Sequence, residues 1–128
     1  MTIRILALVG SLRAGSYNRQ LAEAAVKHAP EGTDVEIFEG LAEVPFYNED
    51  LDRPGALPGP VQALRDAVGR ADALLLVTPE YNGSLTAVLK NAIDWASRPH
   101  LSGAPRWAPP VGVTAGCGRL TTPAKLPA

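Results

Sequence analysis

Two short stretches hold the residues with the most chemistry to offer. The first is Gly10-Ser11-Leu12-Arg13-Ala14-Gly15-Ser16-Tyr17-Asn18. It brings Ser11, Ser16 and Asn18 as neutral donors and Arg13 as a forked, charge-assisted one. An apolar run precedes it, and a helical pattern carried by Leu21, Ala22 and Ala25 follows. Strand, polar loop, helix is the arrangement that holds phosphate. The first N–H groups of a helix lack intrahelical acceptors and carry partial positive charge, so an anion is stabilised there. The second stretch is Pro79-Glu80-Tyr81-Asn82-Gly83-Ser84. Its Asn-Gly pair marks a tight turn, and Ser84 is placed to cap the helix behind it.

Spacing narrows the phosphate compound. Gly10 and Gly15 have the four-residue gap of a P-loop, but Ser16-Tyr17 stands where Lys and then Ser or Thr belong. Without that lysine and that hydroxyl, nucleoside triphosphate hydrolysis is not expected. The three spaced glycines of a dinucleotide fingerprint are missing too. A monophosphate, as on FMN, fits better. Glu80 reads either as an acid or as a solvated loop carboxylate. No nucleophile with a base beside it is evident, and no catalytic side chain is assigned. His28, His100 and the lone Cys117 are not at ligand spacing, so no metal site is expected.

These loops need elements to hold them. Ile3 to Val9 is nearly all apolar, as in a strand buried on both faces. Asn18 reads as the N-cap of a helix running to about His28, with alanines on its inward side. Pro30-Glu31-Gly32 breaks it, and Val35-Glu36-Ile37-Phe38 reads as a second strand nearer an edge. Residues 41–59 form a loop rich in Pro and Gly, with aromatics in Val44-Pro45-Phe46-Tyr47-Asn48. Pro60 suits the first turn of the next helix, whose stripe is Val61, Leu64 and Val68. Ala73 to Thr78 is the most apolar segment and reads as a central strand. Leu85, Val88, Leu89, Ala92, Ile93 and Ala96 recur at helical intervals behind the second loop. Trp95 lies off that stripe, which marks either a protein contact or a ring lying on the domain's own loops.

At 128 residues the chain is read as one domain, 1–128, with room for a core. A net charge of −1 gives no pull toward nucleic acid or an anionic membrane. The longest apolar run, Ala71 to Val77 with Asp72 inside it, is too short to span a bilayer. A strand begins two residues in, so no signal peptide is expected. A single cysteine leaves no disulfide frame, and a cytoplasmic setting follows as the expectation.

Alternating strands and helices imply an α/β fold with a doubly wound parallel sheet and right-handed crossovers. Ligands of such sheets bind beyond the C-terminal strand ends, at the switch point. Both polar loops leave such ends, on the first and third strands. In flavodoxin-like order those strands are neighbours, so the two loops converge on one crevice.

Four segments then resemble one family. They are Gly10-Ser11-Leu12-Arg13 with Ser16 and Asn18, Tyr47-Asn48-Glu49-Asp50-Leu51, Thr78-Pro79-Glu80-Tyr81-Asn82 with Ser84, and Leu89-Lys90-Asn91-Ala92-Ile93-Asp94-Trp95. Together they closely resemble the NADPH-dependent FMN reductases, a group that includes chromate, quinone and azo-dye reductases. The resemblance covers residues 3 to about 99. It implies that Ser11, Arg13, Ser16 and Asn18 hold the FMN phosphate. It implies that Pro79, Glu80, Tyr81, Asn82, Gly83 and Ser84 lie along the isoalloxazine, with Tyr81 near the ring. It implies hydride transfer from NADPH or NADH to flavin, and onward to a quinone, azo dye, metal oxyanion or free flavin. It also implies a homodimer or homotetramer, with the helix after Ser84 near the interface. The other readings are a flavin-binding electron carrier without a nicotinamide site, and a shortened, non-catalytic relative acting as an interaction module.

The C-terminal part departs from the family. Six of the 12 prolines fall from Pro99 to Pro127, so regular elements are scarce there. Pro110 to Thr114 is still read as a fourth strand, and Gly116, with Cys117 and Gly118, as a loop approaching the flavin. Leu120 to Ala128 has no pattern, whereas the family continues with a helix, a fifth strand and a closing helix. A chain so shortened is expected to leave one sheet face partly bare, and to self-associate or fold only marginally.

Overall fold

The computed structural model describes residues 1–97 and the backbone of 111–113. Its order is β1 (Ile3–Val9), α1 (Tyr17–Lys27), β2 (Thr33–Ile37), α2 (Gly59–Arg70), β3 (Ala73–Val77), α3 (Ala87–Ala96) and β4 (Val111–Val113). The sheet runs β2-β1-β3-β4, and every pairing is parallel. The adjacency of β1 and β3 is the one expected.

Alternation along β1 and β3 sends side chains to two different layers. Leu6, Leu8 and Leu74 pack with Val61 and Leu64 of α2 and with Leu89, Ile93 and Trp95 of α3. Val9 and Val77 face the other way, toward Ala22 of α1. Ala22 is fully buried there, and its small side chain lets the helix backbone approach the sheet. β2 lies at the edge and exposes Asp34 and Glu36, charges that discourage pairing with another chain. It begins two residues earlier than expected. The Ile3 N–H donates to Gly32 O and that of Thr33 to Pro30 O, which brings the turn straight into the ladder. The strand also ends one residue before the expected Phe38, although the Phe38 N–H still donates to Ala7 O at 3.0 Å.

Both helix starts differ from expectation by two residues. The N-cap of α1 is Ser16, not Asn18: its Oγ accepts the Arg19 N–H at 3.2 Å. A turn closed by the Ser16 N–H on Arg13 O leaves Ser16 extended, three residues before Arg19, while Asn18 is already helical. Ser84 does not cap α3. It is paired with Tyr81 across a hairpin turn, so the helix starts later and Thr86 takes the N-cap position.

Residues 41–58 contain two single 3-10 turns, Leu41–Glu43 and Glu49–Leu51. α2 and α3 anchor this segment. Asn91 Nδ2 donates to Pro45 O (2.9 Å), and its Oδ1 accepts the Tyr47 N–H (2.8 Å). Trp95 Nε1 donates to the same Pro45 O at 2.7 Å. Arg65 forks onto Asp52 at 3.0 and 3.2 Å, donates from Nε to Trp95 O, and lies 5.5 Å from the Trp95 ring centroid. Tyr47 meets Trp95 edge-on, with centroids 4.7 Å apart, and its hydroxyl donates to Asp52. Trp95 is fully buried beneath this loop. Of its two readings, the ring lying on the domain's own loops is the one realised.

A second fork ties α1 to the exit of β2. Arg19 donates to both oxygens of Glu39, at 2.8 and 2.6 Å, and from Nε to Glu23. The Arg19 hydrogen bonds hold the Glu39 carboxyl below its ordinary range. A carboxylate whose folded pKa is depressed adds stability above its unfolded pKa and loses it as pH falls through the folded value. With Glu39 68% exposed, solvent limits the pair to about 1 kcal/mol or less. Thermal melts should therefore show Glu39→Gln slightly less stable than wild type at pH 7, with the difference starting to shrink near the ordinary carboxylate pKa of about 4.3 and disappearing only below the depressed folded value. A difference that grows on acidification would contradict the assignment.

Candidate functional site

β1 and β3 end level with each other, Val9 opposite Val77, and the Gly10 N–H donates to Val77 O at 2.7 Å. The loops that follow therefore start side by side at one end of the sheet. The convergence argued from the sequence is present.

In the first loop, Leu12 to Gly15 are exposed, Ser11 is half-buried, and Ser16 and Asn18 are buried. Of the four donors at the start of α1, Ser16 N–H bonds Arg13 O and Arg19 N–H bonds Ser16 Oγ. Those of Tyr17 and Asn18 have no acceptor among the described residues. The Asn18 carboxamide is in the same condition, with the residue only 6% exposed. Arg13 has no carboxylate partner among the described residues. Its guanidinium folds back beside Gly15, where a Cβ would sit 3.5 Å from Nη2. A buried donor left without an acceptor, such as the Asn18 carboxamide, is costly in isolation, and an anionic ligand would satisfy it and draw in the exposed Arg13 guanidinium.

In the second loop, Asn82 (φ 54°) and Gly83 (φ 78°) both lie in the left-handed region. Tyr81 and Ser84 exchange backbone hydrogen bonds at 3.0 and 3.2 Å around them. Two positive-φ residues inside a closed pair make a type I′ turn, the turn that Asn-Gly favours. The Glu80 carboxylate accepts the Gly83 N–H and so braces the turn from within. Tyr81 stands 57% exposed at its base, and Pro79 is half-buried. Gly116, the remaining expected contact, lies outside the described residues.

Three residues that join the loops were not singled out in the sequence: Gly10 for its fit, Thr78 and Thr86 for their hydroxyls. Thr86 Oγ1 donates to Gly10 O at 2.6 Å. The Thr86 N–H donates to Thr78 Oγ1 at 3.4 Å, and Thr78 Oγ1 donates to Pro79 O at 2.8 Å. A Cβ on Gly10 would come within 2.8 Å of Thr86 Oγ1 and 2.9 Å of Thr78 Oγ1, so only glycine fits. The available signal was a glycine closing one buried strand and a threonine closing the next.

Among the described residues, no helix is long and apolar enough to cross a membrane. The family model for NADPH-dependent FMN reductase matches residues 3–122. An NAD(P)H-dependent FMN reductase of Pseudomonas aeruginosa is 47% identical over 97 residues, covering 76% of this chain and 51% of the relative. An NAD(P)H:quinone oxidoreductase of Solanum tuberosum is 47% identical over 100 residues, covering 76% and 51%. The chain thus spans about half the length of these curated relatives. Among solved structures, a flavoenzyme NAD(P)H:(acceptor) oxidoreductase from Paracoccus denitrificans superposes with a TM-score of 0.75 at 35% identity. That match covers 90% of this chain and 60% of the other. Sheet order, paired loops and these matches agree: the chain belongs to the NADPH-dependent FMN reductase family, with a flavodoxin-like fold.

Proposed function

We propose that this chain binds FMN beyond the C-terminal ends of β1 and β3 and works as an NAD(P)H-dependent oxidoreductase on a small-molecule acceptor such as a quinone. The observation that carries this reading is the side-by-side exit of the two loops. One offers helix donors and a guanidinium with no carboxylate partner among the described residues; the other is a braced turn bearing an exposed tyrosine. The names of the relatives point the same way.

The donor set fits a phosphate monoester. Arg13 supplies the charge, and the Tyr17 and Asn18 N–H groups are without acceptors among the described residues. The Asn18 carboxamide would gain the partner it lacks. Ser16 accepts from Arg19 through Oγ, which leaves its O–H to donate, and Ser11 adds a second hydroxyl. Pro79 to Ser84 then lie along the ring, with Tyr81 near it and the N–H groups of Glu80 and Asn82, which have no acceptor among the described residues, toward its polar edge. Glu80 is assigned a role in bracing the turn, since one oxygen of its carboxylate accepts the Gly83 N–H. Bound FMN would supply the hydride chemistry, and the chain's part is to hold the ring and leave one face open. Assembly as a homodimer or homotetramer belongs to the same proposal and rests on the family resemblance, and a cytoplasmic setting rests on the single cysteine.

Purified protein should be yellow and release FMN on denaturation, and it should oxidise NADPH when a quinone is supplied. Protein that binds no FMN would sink the reading. FMN binding without NADPH oxidation would make the chain an electron carrier. The ring loop has its own expected result. Gly83 is left-handed, and a β-branched residue there is strained even though space is open. Gly83→Val should reduce FMN occupancy severalfold, from a strain of about 1–2 kcal/mol, with far-UV helix content unchanged. Unaltered occupancy would mean that this turn does not shape the site.

A further inference from the structure

Thr86 breaks a local rule. A threonine at an N-cap ordinarily accepts an N–H from the first turn of its own helix. Here the side chain makes no such bond. It instead donates across the crevice floor to Gly10 O, the first carbonyl beyond β1. Its backbone N–H reaches Thr78 Oγ1, and that hydroxyl in turn donates to Pro79 O. Thr86 is 3% exposed and Thr78 8%, so water does not compete for these bonds. A local sacrifice made for a contact 76 positions away in the chain calls for a reason beyond helix stability.

We infer that Thr86, relayed through Thr78, is a positioning residue that sets the distance between the loop starting at Gly10 and the loop starting at Pro79. The inference rests on the FMN reading above. Two anchored carbonyls, Gly10 O and Pro79 O, define where each loop departs. Gly10 adds a steric limit, because neither threonine hydroxyl leaves room for a Cβ. A ligand whose phosphate and ring are joined by a linker of fixed length gains from both loops only when their spacing matches it. A ligand with ring and linker but no phosphate gains nothing from that match. The Thr86 hydroxyl therefore raises affinity for FMN and leaves riboflavin nearly unaffected.

The test titrates the 128-residue apoprotein with FMN and with riboflavin, following flavin fluorescence, and takes the ratio of the two dissociation constants. Wild type should prefer FMN. Thr86→Val removes the hydroxyl at nearly constant volume and should lower that preference about 3- to 10-fold, the range for one lost hydrogen bond. Thr86→Ser keeps the hydroxyl and should keep the wild-type ratio. A lower melting temperature in Thr86→Val with the ratio unchanged would mean a purely structural role and overturn the inference. Should Thr86→Val fail to fold, Thr78→Val interrupts the same relay, and the same ratio decides. A wild type with no preference for FMN over riboflavin would overturn the phosphate-loop reading and the inference with it.

Discussion

Arg13→Ala should weaken FMN binding about 10- to 150-fold while leaving riboflavin binding as it is. The range follows from a charge-assisted hydrogen bond to phosphate, worth roughly 1.5–3 kcal/mol net. The side chain is exposed and has no carboxylate partner among the described residues. Removing it therefore deletes no ion pair among the described residues, and the melting temperature of the apoprotein should stay close to wild type. That separation makes the experiment clean: affinity falls, stability does not, and the ligand without phosphate notices nothing. Titration of both flavins against both proteins checks it. Equal FMN affinity in wild type and variant would remove Arg13 from the site.

Trp95→Ala should have the largest effect on stability. The ring is fully buried among Leu64, Ile93 and Tyr47, and truncating a core tryptophan costs roughly 3–5 kcal/mol. Here the loss goes beyond volume. Nε1 no longer donates to Pro45 O, and Arg65 loses the ring beneath its guanidinium. Against a typical total of about 5–15 kcal/mol, the variant should melt about 10–25 °C lower or fail to accumulate folded. Trp95→Phe retains most of the ring volume and deletes the donor, so it should fall between the two. A Trp95→Ala protein that melts within two or three degrees of wild type would show that residues 44–52 are held in place by something other than this ring.

Periodicity carried most of the fold. Leu6, Leu8 and Leu74, alternating with Val9 and Val77, are apolar on both faces of a strand, and a strand of that kind has to sit inside a sheet. The stripes Val61–Leu64 and Leu89–Ile93 had one reading as helices. The two errors at helix starts share a cause. Ser16 and Asn18 are both good N-caps, as are Ser84 and Thr86, and choosing between them requires the turn that precedes each helix. Each of those turns is fixed by a backbone hydrogen bond that residue types alone do not reveal. Trp95 stayed ambiguous for a related reason. Its place depends on Pro45 and Arg65, which lie on other elements, and no window along the helix contains them. The Gly10–Thr78–Thr86 contacts draw on three elements at once, so they become visible only when β1, β3 and α3 stand together.

The order of the strands also imposes a schedule on the chain as it is made. β1, α1 and β2 leave the ribosome first and can pair as a βαβ unit, since Ile3–Ala7 meets Thr33–Ile37. That unit is unfinished. Leu6 and Leu8 look toward helices not yet synthesised, and the free side of β1 waits for β3, whose Val77 belongs opposite Val9. Until α2, β3 and α3 arrive, the nascent chain presents an apolar sheet face and an unpaired edge together, the two features that most invite association with a neighbouring chain. The strand that later anchors the first loop is thus, for a time, the most adhesive part of the molecule.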